Sequence, residues 1–583
     1  MSSFVNGGAR VAALLIGLSA VAEAQTIYPL DRAEILSGSR FDFKVEFPDT
    51  VKQEDATVTI NGQPAVSVLG KPAQFMTGEE GLPMNSLWVR DSSIKRPGKY
   101  VVVAKAGDKT ATVTWEVFDT PGERRAKNVI LFIGDGMSLA HRTAARLLSK
   151  GINQGHYGGE LAIDDMPHMA LISTAGTDSI VTDSANSMAA YTTGHKSCTN
   201  ALGVYCAKNK DSLAHPRVET LTSLAKRKLK VAVGVVTNTE IEDATPAGMV
   251  ANTRRRADFS EIVRMFSEQQ PEVIMGGGAP WFWPKSAEGS RRNDDVDYIA
   301  KFKGLGYTHV ANNTEMLAAG AKPEMRKLLG LFNNGNIDGA LDRRFLKKGT
   351  VSKYPDQPDL VDMVKVSLNV LSKKREGFVL MVESGRIDKY THALDWERAV
   401  YDTIMLDNAV KVAKDWAKAH GNDTLIIVTP DHTHPVSIIG TVDDSRPGDR
   451  LRDKIAIYNE AGFPNYPAPD AQGYPEKIDV SRRLAFSFGA FPDHCTSGKP
   501  SLGGPFVPTT KSADGKSQVA NEEFCAPGAT RMQGNLPITQ GSGVHSGDDG
   551  LLTAMGPGSE RFHGHLENTR VFRNIALALG LGK

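Results

Sequence analysis

The sequence predicts an α/β fold: a three-layer sandwich with a mostly parallel central sheet, preceded by a small N-terminal immunoglobulin-like β-sandwich. Three observations carry that expectation. At 583 residues the chain exceeds one ordinary domain. Residues 26–119 read as short strands of alternating polarity separated by turn signals, the pattern of a sandwich. Beyond Pro121, unbroken apolar runs rich in Val and Ile alternate with helical segments, which describes a parallel sheet covered on both faces.

The chain opens with Arg10, an apolar run over residues 11–22, and Ala22-Glu23-Ala24. That is the layout of a signal peptide over residues 1–24, with cleavage before Gln25. The run is too short to span a bilayer, and no other stretch is a candidate. The expected product has no membrane anchor and is periplasmic or secreted. Four cysteines suit an oxidising compartment. Proximity favours Cys198 with Cys206 and Cys495 with Cys525 among the three pairings open to them. The net charge of +1 gives no electrostatic case for nucleic acid or an anionic membrane.

In residues 25–120, Phe41-Asp42-Phe43-Lys44-Val45-Glu46-Phe47 alternates like a half-buried strand. Residues 56–60 run into Asn61-Gly62, a hairpin turn. Residues 100–104 and 111–117 supply further strands, and Thr120-Pro121-Gly122 marks the boundary. In residues 121–583 the apolar runs are 128–133, 230–236, 273–275, 378–382 and 424–428. Residues 394–420 carry a helical apolar stripe from Trp396 through Val400, Ile404, Leu406, Val410 and Ala413 to Trp416, and stop at Gly421. Residues 443–542, rich in Pro and Gly, read as a loop-rich insertion.

In such sheets ligands bind beyond the carboxyl ends of the strands, so the polar residues there are the candidates. The first run ends in Gly134-Asp135-Gly136. The run at 378–382 ends in Glu383, followed by Asp388 and His392, which share one helical face at a spacing of four. The run at 424–428 leads to Asp431-His432-Thr433-His434, where His434 is either a ligand or a donor behind one. His545 follows the insertion; His494, His563 and His565 lack a strand-end setting. Mixed nitrogen and oxygen donors suit zinc, and an all-oxygen set suits magnesium. Val181-Thr182-Asp183-Ser184 precedes a helix over residues 185–193, whose N-terminus would favour an anion or a serine alkoxide. Taken alone, Ser184 reads more readily as a helix cap.

Strand-Gly-Asp-Gly, Thr-Asp-Ser-Ala, Asp-Ala-Thr-Pro-Ala, Glu-x4-Asp-x3-His, Asp-His and a late His-x-Gly occur here in one order, and the series resembles the alkaline phosphatase family. The resemblance runs from about Lys127 to the C-terminus, outside the β-sandwich and the insertion. It makes residues 121–583 the catalytic domain of a phosphate monoester hydrolase with two zinc ions and one magnesium ion. It implies Ser184 as the nucleophile that becomes phosphorylated. Asp388, His392 and His545 would hold one zinc, and Asp135, Asp431 and His432 the other. Asp135, Thr245 and Glu383 would hold magnesium, with Asp243 acting on its bound water. An arginine must clamp the phosphate, a task suited to a planar bidentate donor. Arg254, Arg255 and Arg256 are all available; counting from Asp243 places Arg256 in the family's position, with Asp183 as its brace. Asp243 and Lys389 make the chain bacterial in type, and Lys389 would aid phosphate binding through water.

The resemblance also implies a homodimer, an interface that the added sandwich and insertion could block or replace. A sulfatase of the same superfamily usually needs a cysteine or serine in its own modification motif, which is not found in this sequence, and the remaining rival there is a phosphodiesterase. Such enzymes usually lack the magnesium site, whereas Thr245 and Glu383 are both present. A secreted binding protein with a dead phosphatase body is the rival from another class.

Overall fold

The computed structural model describes residues 25–582; the leader expected over residues 1–24 lies outside the described residues. A ten-stranded sheet forms the centre of the larger part. In spatial order its strands are Thr308–Val310, Leu328–Leu331, Val273–Gly277, Ala232–Glu240, Phe378–Ser384, Asn128–Gly134, Thr424–Thr429, Gly550–Met555, His168–Ser173 and Gly564–Glu567. All neighbours pair parallel except those of Gly550–Met555, which runs antiparallel to both of its partners. The three central strands are buried along their whole length, as their unbroken apolar sequences require.

Side-chain alternation sends these strands into two cores. Val129, Leu131 and Ile133 face one layer, with helices Ser184–Thr193, Phe259–Gln269 and Thr569–Leu579. Ile130 and Phe132 face the other, with helices Leu139–Lys150, Leu360–Leu371 and Trp396–Ala419. The last of these starts at Trp396, the first residue of its apolar stripe and two residues inside the range 394–420. Leu394 has a left-handed φ of 61°, and Asp395 caps the helix by accepting from the Arg398 amide. The register Gly134↔Ser384 and Ile133↔Thr429 brings three strand ends level, so Asp135, Glu383 and Asp431 emerge at one edge.

Residues 25–120 form two facing sheets. One holds Thr26–Tyr28, Phe41–Pro48, Met84–Ser92 and Gln74–Met76; the other holds Glu34–Leu36, Lys109–Phe118, Gly98–Ala106, Ala56–Ile60 and Gln63–Pro64. Trp115 sits between them, with Phe41 and Phe43 edge-on at 6.0 and 5.9 Å. Asn61 and Gly62 take positive φ values of 49° and 77°, as the hairpin turn demands. One expectation fails. The strand at Phe41 is not half-buried: Asp42, Lys44 and Glu46 are 6%, 0% and 4% exposed. The alternation does divide the strand into an apolar and a polar face, but residues 206–218 cover the polar one.

Residues 436–532 carry short strand pairs, including Val436–Asp443, which leads into the expected insertion, with Arg482–Phe488, and His494–Thr496 with Thr530–Met532. Disulfides join Cys198 to Cys206 and Cys495 to Cys525, as proximity suggested. Among the described residues no helix is long and apolar enough to cross a membrane.

Candidate active site and metal centre

Ser184 is the first residue of its helix, not the cap. Asp183 holds the cap position in an extended conformation and accepts from the Asn186 amide at 3.3 Å. Ser184 is 2% exposed, and its Oγ stands 3.2 Å from His432 Nε2. Ser184 thus stands in the first turn of the helix, where the partial positive charge of the N-terminus favours an anion.

His432 Nε2 also lies 3.2 Å from Asp135 Oδ1 and 3.3 Å from Asp431 Oδ2. The turn after Asp135 needs a glycine. Gly136 has φ +65°, and a Cβ there would meet His434 Cδ2 at 2.7 Å. A second group centres on Asp388 Oδ1, with His434, His392 and His545 Nε2 at 2.7, 3.2 and 3.4 Å. His434, left open in the sequence as ligand or donor, is thus bonded to Asp388. Its backbone is fixed in turn by Ser138, whose Oγ accepts from the His434 amide at 2.9 Å.

Glu383 is held by Thr237 and by Thr239, whose Oγ1 lies 3.1 Å from Glu383 Oε2. Neither threonine was singled out in the sequence, because a hydroxyl inside an apolar strand carries no motif. Thr245 is buried one residue beyond Ala244, and its hydroxyl has no protein partner. Asp243 caps the short helix Ala244–Ala247. It accepts from Arg256 Nη2 at 2.7 Å and pairs with Lys389 Nζ at 3.0 Å. Arg256 Nη1 reaches Asp183 Oδ2 at 3.1 Å, so the guanidinium is fixed between two carboxylates. Arg254 turns to the Thr199 carbonyl, and the Arg255 side chain is 68% exposed near Asp258. Of the three arginines only Arg256 faces this group. His494 bonds the Pro492 carbonyl, and His565 lies near Asp549; neither joins the site.

Ionisation reflects the crowding. Burial, then the charges of Asp431, Asp388 and Glu383, push the Asp135 carboxyl far up. Glu383 is raised to about 7, chiefly by burial. Burial opposes ionisation of Asp388, yet His392, His434 and His545 outweigh it and hold that carboxyl well below its usual range. Burial likewise opposes ionisation of Asp243, and Lys389 with Arg256 outweighs it. His432 and His434 are pushed down by burial, the latter to about 4.

This arrangement fits bound cations. Asp135 Oδ1, Asp431 Oδ2 and Thr245 Oγ1 are buried without a hydrogen-bond partner. His392 Nδ1 and His545 Nδ1 lie 2.6 and 2.8 Å from the carbonyls of Gly543 and Thr182. A carbonyl only accepts, so both Nδ1 atoms carry a proton, and in the neutral rings both Nε2 atoms present lone pairs. Asp388, His432, His434 and His545 offer atoms within 4.8 Å of one another, as do Asp135, Asp431 and His432. Unpaired acids at this density are tolerable only when cations neutralise them.

Residues 126–581 match the family model described as alkaline phosphatase. The chain is 30% identical to the tissue-nonspecific alkaline phosphatase of Gallus gallus over 495 residues, covering 78% of this chain and 85% of that protein. It is 32% identical to the alkaline phosphatase of Escherichia coli K12 over 382 residues, 59% of this chain and 76% of that one. Against the tissue-nonspecific isozyme of Mus musculus it is 32% identical over 346 residues, 53% of this chain; the match spans 63% of that relative's length. Among solved structures, the alkaline phosphatase of Thermus thermophilus superposes with a TM-score of 0.55 at 24% identity, covering 79% of this chain and 93% of that one. The alkaline phosphatase of the Antarctic bacterium TAB5 gives 0.52 at 21% identity, covering 79% and 99%. These two likenesses concern the fold.

Proposed function

The chain belongs to the alkaline phosphatase family, and from that premise we propose that it hydrolyses phosphate monoesters through a phosphoserine at Ser184. One observation carries the reading. Ser184 Oγ lies at a helix N-terminus 3.2 Å from His432 Nε2, and the preceding residue, Asp183, together with Asp243 fixes Arg256.

Asp388, His392 and His545 would hold one zinc, Asp135, Asp431 and His432 a second, and Asp135, Thr245 and Glu383 a magnesium ion. Bound there, the metals supply positive charge for the phosphoryl oxygens and lower the pKa of coordinated hydroxyl groups. The protein's own residues do the rest. Arg256 binds two phosphate oxygens as a planar fork. Asp183 and Asp243 keep that fork aimed, and Lys389 adds positive charge beside Asp243. The helix amides favour the deprotonated Ser184 Oγ. Oγ attacks phosphorus in line, the ester P–O bond breaks, and the alcohol leaves. Water then cleaves the phosphoserine, which frees Ser184 and inorganic phosphate.

Replacing Ser184 with Ala should nearly abolish turnover of a chromogenic phosphate monoester; a wild-type rate would sink the assignment. Comparing monoester with diester turnover separates this reading from the phosphodiesterase, and Thr245 with Glu383 favours the monoester. We divide the chain into a sandwich at residues 25–120 and a catalytic domain from residue 121 that includes the insertion at 443–542. The two disulfides support a periplasmic or secreted location.

A further inference from the structure

We propose that the N-terminal β-sandwich is a positioning element for phosphate binding: it sets the course of residues 195–219, the loop whose backbone holds Arg256 and Asp183. The proposal rests on the reading of Arg256 as the phosphate clamp.

The loop connects helix Ser184–Thr193 to helix Leu221–Leu229 and contains no regular element beyond isolated bridges. So long an irregular segment has a large conformational entropy to lose, and something must order it. At one end it meets the site. The Arg256 amide donates to the Asn200 carbonyl at 2.8 Å, and the Asn200 amide donates to Asp183 Oδ1 at 3.1 Å. Leu202 and Thr253 exchange backbone hydrogen bonds of 2.8 and 2.9 Å. The Arg254 amide donates to the Ser212 carbonyl at 2.8 Å. Both the arginine and its brace therefore hang on this loop.

At its other end the loop is built into the sandwich. Strand Thr26–Tyr28 pairs with Phe41–Pro48 only as far as Tyr28↔Lys44. Beyond that point the strand edge is free, and the loop takes it over. Phe41 bridges Val218, the Asp42 amide donates to the Arg217 carbonyl at 2.8 Å, and the Arg217 amide donates to Asp42 Oδ2 at 3.1 Å. The polar face of the same strand grips the middle of the loop. Lys44 Nζ, fully buried, bonds Asn209 Oδ1 at 2.7 Å, Glu46 Oε1 at 2.8 Å and Glu79 Oε2 at 3.1 Å. Glu46 Oε1 accepts from the Lys208 amide at 2.9 Å, and Tyr28 OH donates to the Cys206 carbonyl at 3.2 Å. The Cys198–Cys206 disulfide joins this anchored stretch to the one bearing Asn200.

This explains why the polar face of the strand is buried instead of solvated. A buried lysine among two glutamates and an asparagine is costly to break, so the loop is held in one place. Displacing Arg256 by a fraction of an ångström weakens a bidentate contact while leaving untouched the metal ligands, which sit at the strand ends, on helices Arg386–His392 and Ala244–Ala247 and in the segment at His545.

The test uses the full chain. Lys44→Met should raise KM for a phosphate monoester and the inhibition constant of inorganic phosphate about tenfold or more, with kcat changed less. Its zinc and magnesium content should match the parent protein. Tyr28→Phe, which removes one hydroxyl and keeps the ring, should move both constants in the same direction by a smaller factor. Glu34→Ala is the control: it breaks sandwich contacts to Arg570 and Arg573, away from the loop, and should leave phosphate inhibition unchanged. An unchanged inhibition constant in both Lys44→Met and Tyr28→Phe overturns the proposal, as does an equal rise in Glu34→Ala. Arg256→Ala is measured alongside. If it leaves phosphate inhibition unchanged, the clamp reading falls and takes the proposal with it; if it weakens inhibition while the sandwich variants do not, the proposal alone falls.

Discussion

His392 and His545 present their Nε2 atoms to each other at 3.0 Å, while each ring spends its Nδ1 proton on a carbonyl. Two imidazole lone pairs aimed at one point, beside Asp388, make a site that suits a cation. Removing metal by chelation and dialysis should therefore lower both activity and Tm. Saturating metal at about a thousand times Kd contributes about 4 kcal/mol of stability. Calorimetry before and after adding back zinc and magnesium checks this; an unchanged Tm would contradict it.

Gly136 faces His434 across a gap that admits no Cβ, at a positive φ. Gly136→Ala should push His434 away from Asp388 Oδ1, the atom on which three histidines converge. Loss of such an orienting contact typically costs about 10–100-fold in metal affinity. Competition with a zinc chelator reads the effect directly, and parental affinity in the variant would refute it.

Arg256 differs from its two neighbours in being fixed by Asp183 and Asp243. Arg256→Ala should weaken inorganic phosphate inhibition by about 2 kcal/mol, roughly 30-fold. Arg256→Lys should recover only part of it, because an ammonium lacks the fork. Arg255→Ala, at an exposed position, should change nothing measurable. Equal effects at positions 255 and 256 would contradict the assignment.

His195 gives the fold an acid sensitivity remote from the metal ligands. It is buried against Tyr205, and burial lowers its pKa to about 4. The folded value lies below the unfolded value, so the unfolded chain binds the proton more readily. The stability is fully present above pH ~6.5 and is lost as pH falls toward ~4, by about 3 kcal/mol for a shift of that size. His195→Phe should flatten the slope of unfolding free energy against pH across that window. Parallel curves for variant and parent would show that His195 does not set it.

The sequence makes the strand ends legible because the chemistry there is local. An apolar run followed by Asp135, Glu383 or Asp431 names both the strand and the acid at its mouth. Long-range contacts behave differently. Ser184 reads as a cap until the structure gives that position to Asp183, since both residue types serve there. Polarity at Lys44 and Glu46 signals a solvated face, and only the return of residues 206–218 makes that face an interior one. The grip of Thr237 and Thr239 on Glu383 is likewise invisible, because a threonine in a strand is ordinary.

A covalent phosphate on Ser184 is trapped by rapid acid quenching during turnover of a phosphate monoester. Mass spectrometry of the digested protein should place a phosphoryl group on the peptide containing Ser184, and the Ser184→Ala variant should carry none and turn over negligibly. A phosphoryl group on any other residue, or undiminished turnover in that variant, would contradict the account.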